Sequence, residues 1–150
     1  MDFNQFWGKL SPQGYKMTPN RQQILQILTV ESNWLTAKSL HEQLLARQIR
    51  INLSTVCRNL ETLYHMGVLC RVDRERNGVF SYRWRDTKEH HHHLICLSCG
   101  KIIPLLFCPL DNLKTHHTKG FRDLECQFEV YGHCRDCQSQ PSPSYQLDNA

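Results

Sequence analysis

Apolar residues recur at helical spacing near the start of the chain. Ile24, Leu25, Ile27 and Leu28 fall on one side of a helix. Thr18 followed by Pro19 opens it with a hydroxyl cap and a proline at the first helical position. A second helix is expected from Thr36, with Leu40, Leu44 and Leu45 on its apolar side. A third is expected over residues 52–66: Asn52 offers a cap, Val56, Leu60 and Leu63 form the buried stripe, and Gly67 is the stop. The period then shortens. Residues 68–72 and 79–84 are apolar-alternating segments on either side of Asn77-Gly78, a strong hairpin signal. Three short helices and then a β-hairpin predict a winged helix-turn-helix.

Beyond a polar linker at 86–89, the pattern predicts short strands over 93–96 and 101–105. A helix is expected over 110–118 with Pro109 near its start, and a further strand over 125–131. From Gln138 onward the chain is rich in Gln, Ser and Pro, and is expected to be a disordered tail over 138–150. The fold class is therefore α+β, with an N-terminal unit over 1–85 and a smaller one over 90–137.

Composition sets bounds on this picture. Hydrophobic residues make up 40% of the 150, enough for a core, yet two half-size units would each be marginal alone. Zinc or dimerisation is expected to help. No apolar run approaches the roughly 20 residues of a membrane span. The first residues show neither a basic segment nor a signal-peptide core, so a cytoplasmic location is expected. Charge is uneven. Residues 1–85 carry twelve Lys/Arg against six Asp/Glu, or +6, whereas residues 86–150 carry six against eight, or −2. A basic first half joined to a half rich in metal ligands suggests nucleic-acid binding under metal control, although +6 is also what a solvated surface can carry.

The chemistry is concentrated in the second half. Cys96-Leu97-Ser98-Cys99 and Cys134-Arg135-Asp136-Cys137 are two CxxC pairs, with Cys134 following Cys99 by 35 positions. One such pair alone could be a redox motif. Two of them supply the four sulfurs that Zn²⁺ takes in a closed structural site. Eight cysteines in a secreted chain would suggest disulfides, but CxxC spacing and a reducing cytoplasm favour metal thiolates. Just ahead of the first pair stand His90, His91, His92 and His93. They suggest a second metal site, built for sensing.

In a helix-turn-helix the last helix enters the major groove, with its first residues on the base edges. Here its early exposed face is expected to hold Ser54, Thr55 and Arg58. Arg58 suits guanine, and the hydroxyls suit phosphate or base. Lys16, Arg21 and Arg50 are expected on phosphates, and Arg74 and Arg76 near the hairpin tip.

Three segments together resemble the ferric uptake regulator family. They are Tyr15-Lys16-Met17-Thr18-Pro19-Asn20-Arg21, Asn52-Leu53-Ser54-Thr55-Val56-Cys57-Arg58-Asn59-Leu60-Glu61-Thr62-Leu63, and the stretch from His90 to Gly100; Tyr131-Gly132-His133-Cys134 continues the match. The resemblance implies a metal-dependent transcriptional repressor that binds double-stranded operator DNA as a homodimer through a C-terminal α/β dimerisation domain. It implies Zn²⁺ on Cys96, Cys99, Cys134 and Cys137. It also implies a regulatory divalent metal on His90, His92, Asp111 and Cys126, with the parts of Cys108, His91 and His93 left open. Cys126 stands where many relatives carry histidine, and Pro104 where many carry a carboxylate. Thiolate is soft and suits Zn²⁺, whereas Fe²⁺ and Mn²⁺ favour imidazole and carboxylate. The chain thus looks most like the zinc-uptake regulator branch, with an iron- or peroxide-responsive regulator as the alternative. Two departures matter. Trp34 and Arg83 replace the ligands of a further interdomain site in relatives, and Cys57 replaces a tyrosine that typically touches DNA.

No HExxH or comparable acid–base pair is present, and no thioredoxin-like βαβ pattern precedes either CxxC. Neither a zinc hydrolase nor a disulfide oxidoreductase is expected, and no small-molecule substrate or membrane partner is implied.

Overall fold

A computed structural model describes residues 16–85, 91–108, 119–122, 124, 126 and 128–138. The chain divides into two compact units, Met1–Lys88 and Glu89–Ala150. The expected linker at 86–89, the helix at 110–118 and nearly all of the tail lie outside the described residues.

In the first unit, α1 spans Pro19–Leu28, β1 Leu35–Thr36, α2 Ala37–Ala46 and α3 Leu53–His65, followed by β2 Leu69–Val72 and β3 Ser81–Trp84. Thr18 Oγ1 accepts from Arg21 N at 3.3 Å, and Thr36 Oγ1 accepts from Ser39 N at 3.1 Å, so hydroxyls cap α1 and α2. Asn52 precedes α3, but its side chain makes no capping bond. Its carbonyl instead accepts from Thr55 N at 2.9 Å and Val56 N at 3.1 Å.

Ile24, Leu25, Ile27, Leu28, Leu40, Leu44, Val56, Leu60 and Leu63 form one core with Leu69, Tyr82 and Trp84. Leu45 departs from expectation: it is 48% exposed, because Leu40 and Leu44 already fill the apolar stripe of α2. Leu60 is fully buried at the centre of α3. Leu60→Ala is expected to cost about 2–5 kcal/mol, read as a lower urea midpoint with an unchanged slope.

β2 and β3 pair antiparallel from Leu69↔Trp84 to Val72↔Ser81, and β1 adds a third strand against β3. The Asn77-Gly78 signal does mark the connection, but not as a two-residue turn. Residues 73–80 form a longer loop, gathered by the Asp73 carboxylate, which accepts from Asn77 N at 3.2 Å and Gly78 N at 2.8 Å. Arg76 and Gly78 take positive φ there.

In the second unit, β4 (His92–Cys96) is central. β5 (Ile102–Leu105) pairs with it antiparallel and β6 (Glu129–Gly132) parallel. The expected strand over 125–131 is thus shorter and starts later among the described residues. Pro104 is tolerated on β5, which is an edge strand of this sheet among the described residues. Ile103, Leu106 and Phe107 are exposed on or just after that edge.

Candidate metal centres and DNA-reading surface

The four CxxC cysteines converge where β4 ends and β6 ends. Cys96 closes β4, Gly100 takes φ 69° to turn the chain, and Gly100 N donates to Cys96 O at 2.9 Å. Leu97 N donates to Gly132 O at 2.7 Å, which draws the second knuckle beside the first. The four sulfurs lie within 4.8 Å of one another, and those of Cys99 and Cys134 are 3.7 Å apart. A ZnS₄ tetrahedron with bonds of about 2.3 Å has S···S edges of about 3.8 Å, so the cluster fits that ion. Ser98 Oγ lies 2.9 Å from His133 Nδ1, and Lys101 Nζ donates to Asp136 Oδ2 at 3.4 Å, so side chains also join the two knuckles.

The thiols here differ. Backbone N–H groups of Cys134 and Cys99 pull Cys96 down to about 5, and Cys134 N donates to its sulfur at 3.3 Å. Hydrogen bonds to the Cys134 and Cys99 sulfurs, with burial, push Cys137 up to about 12. The Cys96 thiolate is favoured while Cys137 resists ionising, and a divalent cation would take the place of the Cys137 proton.

The histidine tract is split by the strand. Alternate residues of β4 point to opposite faces. The rings of His91 and His93 meet edge-on at 5.0 Å, while the His92 ring packs 4.0 Å from that of Phe128. His92 joins Cys108 and Cys126 in a second group whose donor atoms all lie within 4.8 Å of one another; His92 and Cys108 are buried, and Cys126 is partly so. Of the expected regulatory set, the structure thus brings together His92 and Cys126. His90 and Asp111 lie outside the described residues. Cys108 belongs to the group, although the sequence left its part open. Its only signal was a thiol close to Asp111, because a buried cysteine reads equally well as apolar filler. Two sulfurs and one nitrogen fit a soft or borderline ion and leave room for a fourth ligand.

In the first unit, α3 presents Ser54 and Arg58 to solvent, with Thr55 half-buried, while Val56 and Leu60 hold the opposite side in the core. Cys57 is exposed on the same helix. Arg21 Nε donates to Asn59 Oδ1 at 3.2 Å and Nη1 to Lys16 O at 2.7 Å, which fixes the guanidinium against α3. His41 Nε2 lies 2.8 Å from Ile51 O and ties α2 to the turn before α3. At the wing root, Glu61 accepts from the Tyr82 hydroxyl and from Arg71 Nη1, the latter at 2.9 Å. The Arg71 guanidinium sits 4.1 Å from the Tyr64 ring centroid and 4.2 Å from that of Phe80. Burial and the Glu61 carboxylate hold the Tyr82 phenol above its ordinary pKa, so it remains a hydrogen-bond donor.

A winged helix-turn-helix followed by a thiol-rich metal-binding unit defines a metal-responsive, DNA-binding transcription regulator rather than an enzyme. Residues 12–131 match the ferric uptake regulator family, and the chain belongs to it. A ferric uptake regulation protein of Synechococcus elongatus is 34% identical over 134 residues, 87% of this chain and 90% of that protein. A peroxide-responsive repressor of Staphylococcus saprophyticus is 30% identical over 85% of each chain. The solved ferric uptake regulator of Vibrio cholerae superimposes with a TM-score of 0.59 at 27% identity, covering 89% of this chain and all of that one. Among the described residues no helix is long and apolar enough to cross a membrane.

Proposed function

We propose that this protein is a zinc-responsive repressor of metal-uptake genes that acts as a homodimer on operator DNA. The observation that carries the metal assignment is the pairing of two thiols with one imidazole at His92, Cys108 and Cys126. That donor set favours Zn²⁺ over Fe²⁺ or Mn²⁺. His90 and Asp111 are the candidates for the remaining position. Cys96, Cys99, Cys134 and Cys137 hold a separate structural Zn²⁺. When bound there, the ion supplies a rigid four-way cross-link between the two knuckles. The exposed apolar edge at Ile103, Leu106 and Phe107 suits pairing with a second copy.

Lys16 and Arg21 contact phosphates in this reading, while Ser54, Thr55 and Arg58 reach base edges. Binding at His92, Cys108 and Cys126 stabilises the DNA-competent dimer by its higher affinity for that state, and operator DNA raises metal affinity in return. The test is fluorescence anisotropy with a palindromic operator, titrated with Zn²⁺, Fe²⁺ or Mn²⁺, with a chelator control. Zn²⁺ is expected to tighten binding most, and affinity indifferent to every ion would refute metal control. The names of the two relatives favour a second reading, an iron- or peroxide-responsive regulator. A response to Fe²⁺ alone, or loss of binding through oxidation of His90 or His92, would select it. Arg58→Ala is expected to cost about 1–3 kcal/mol and to relax base preference at one position. Lys16→Ala should weaken all sequences alike and lower the salt slope by about one. Salt-dependent titrations on operator and scrambled DNA distinguish the two.

A further inference from the structure

Among the described residues of the second unit, two thiol clusters differ in their donor sets. The four CxxC sulfurs, those of exposed Cys99 and buried Cys96 among them, would all be held by one Zn²⁺, which leaves none of them a free thiolate. In the second group only two of the donors are sulfur and the third is an imidazole, all within 4.8 Å. Neither cysteine there is in a disulfide. Cys108 is buried at 6% exposure, whereas Cys126 is partly exposed. The pair therefore combines a partly exposed cysteine with a buried one close by. That is the arrangement an oxidant-driven cross-link requires, since the first sulfur must be reached and the second must intercept the product before it oxidises further.

We propose that Cys108 and Cys126 form a reversible disulfide in response to a hydroperoxide, and that the cross-link empties the pocket of its metal. The inference deepens the reading of that pocket as the regulatory site and rests on it for its regulatory consequence. Cys126, as thiolate, attacks one oxygen of the peroxide. The O–O bond breaks, and the departing hydroxide takes a proton and leaves as water. Sulfur is now a sulfenic acid. The Cys108 thiolate attacks that sulfur, the S–O bond breaks, and the second hydroxide takes another proton and leaves as water. Two thiolates, one hydrogen peroxide and two protons thus give one disulfide and two waters. The sulfurs lose two electrons and the peroxide gains them. A disulfide bond needs the sulfurs at about 2.05 Å, so side-chain rotation must close the remaining gap. Once linked, the sulfurs are no longer thiolates, and a site left without both soft donors holds Zn²⁺ poorly. The regulator would then release its operator under oxidant even when zinc is plentiful, and a thiol reductant would restore it.

The experiment uses the full-length protein loaded with zinc, its metal counted before any oxidant is added. Hydrogen peroxide is then applied, with free zinc followed by a chromophoric chelator and cross-links mapped by non-reducing proteolysis and mass spectrometry. The expected result is a Cys108–Cys126 linkage, loss of two alkylatable thiols and release of one zinc per chain, all reversed by dithiothreitol. Cys96, Cys99, Cys134 and Cys137 should stay unmodified over the same period. Cys108→Ser should leave Cys126 as a sulfenic acid that dimedone traps, while Cys126→Ser should leave no trapped sulfur at position 108. Circular dichroism shows whether each variant is folded. The proposal is overturned if both thiols remain alkylatable, if oxidation falls first on the four CxxC cysteines, or if Cys126 passes to sulfinic acid without a cross-link. A starting count of one zinc per chain would instead defeat the regulatory-site reading, and the cross-link assay on that same sample would still decide the redox chemistry.

Discussion

Replacing Cys96 with serine is expected to remove one zinc per chain and unfold the second unit. Its sulfur accepts the backbone N–H of Cys134 and closes the central strand of the sheet, so the loss reaches both knuckles. The described core of that unit is small: Ile95, Cys96, Cys108 and Cys137 are its buried apolar residues, whereas the helical core of the first unit is much larger. Apparent zinc binding free energies at structural sites are about 10–16 kcal/mol near neutral pH, more than a domain of this size holds in reserve. Circular dichroism, elemental analysis and sedimentation on the variant should show one zinc fewer, reduced strand signal and loss of the proposed dimer. The first unit should keep its own cooperative transition, because its core owes nothing to the knuckles. A variant that stays folded and dimeric without that zinc would sink the structural assignment.

The second large effect is expected at Cys126. Serine there removes one of two soft donors from a three-donor group, and hydroxyl is a far weaker zinc ligand than thiolate. Zinc at that pocket should weaken by about a hundredfold or more, judged from the 10–100-fold losses that even outer-shell changes produce. Operator affinity in saturating zinc should fall toward its metal-free value, by about 1–3 kcal/mol if the coupling is of ordinary size. Stability should change little, since the four CxxC sulfurs are untouched. Competition titration against a zinc indicator, with operator anisotropy beside it, gives both numbers. Unchanged zinc affinity would remove Cys126 from the ligand set.

The two clusters were unequally legible in the sequence. CxxC pairs are local, and their spacing alone brings each pair of sulfurs together, so the four-sulfur group could be read from the chain. The second group is assembled by β4 with two cysteines at 108 and 126, and no short-range pattern links these three positions. The family resemblance supplied His92 and Cys126, whereas Cys108, whose part the sequence left open, joined the group only through the fold. Periodicity was most informative in the first unit, where buried positions 56, 60 and 63 follow the helical repeat. It was less so at Leu45, whose place one step past Leu44 turns it out of the stripe. Capping by Asn52 failed for a different reason, since the carbonyl of that residue already serves the first-turn donors. The wing showed a turn residue pair but not its length, because the Asp73 carboxylate organises the loop from outside the pair.

The tract of identical donors feeding β4 has a consequence for how such a chain can drift. Because neighbouring side chains on a strand project to opposite sides, a slip of one position exchanges which imidazole faces which side without leaving either side bare. A mixed sequence would lose its ligand in the same event. Repetition therefore makes this stretch tolerant of small errors in alignment, and selection can shift the thiols around it while an imidazole always remains at hand.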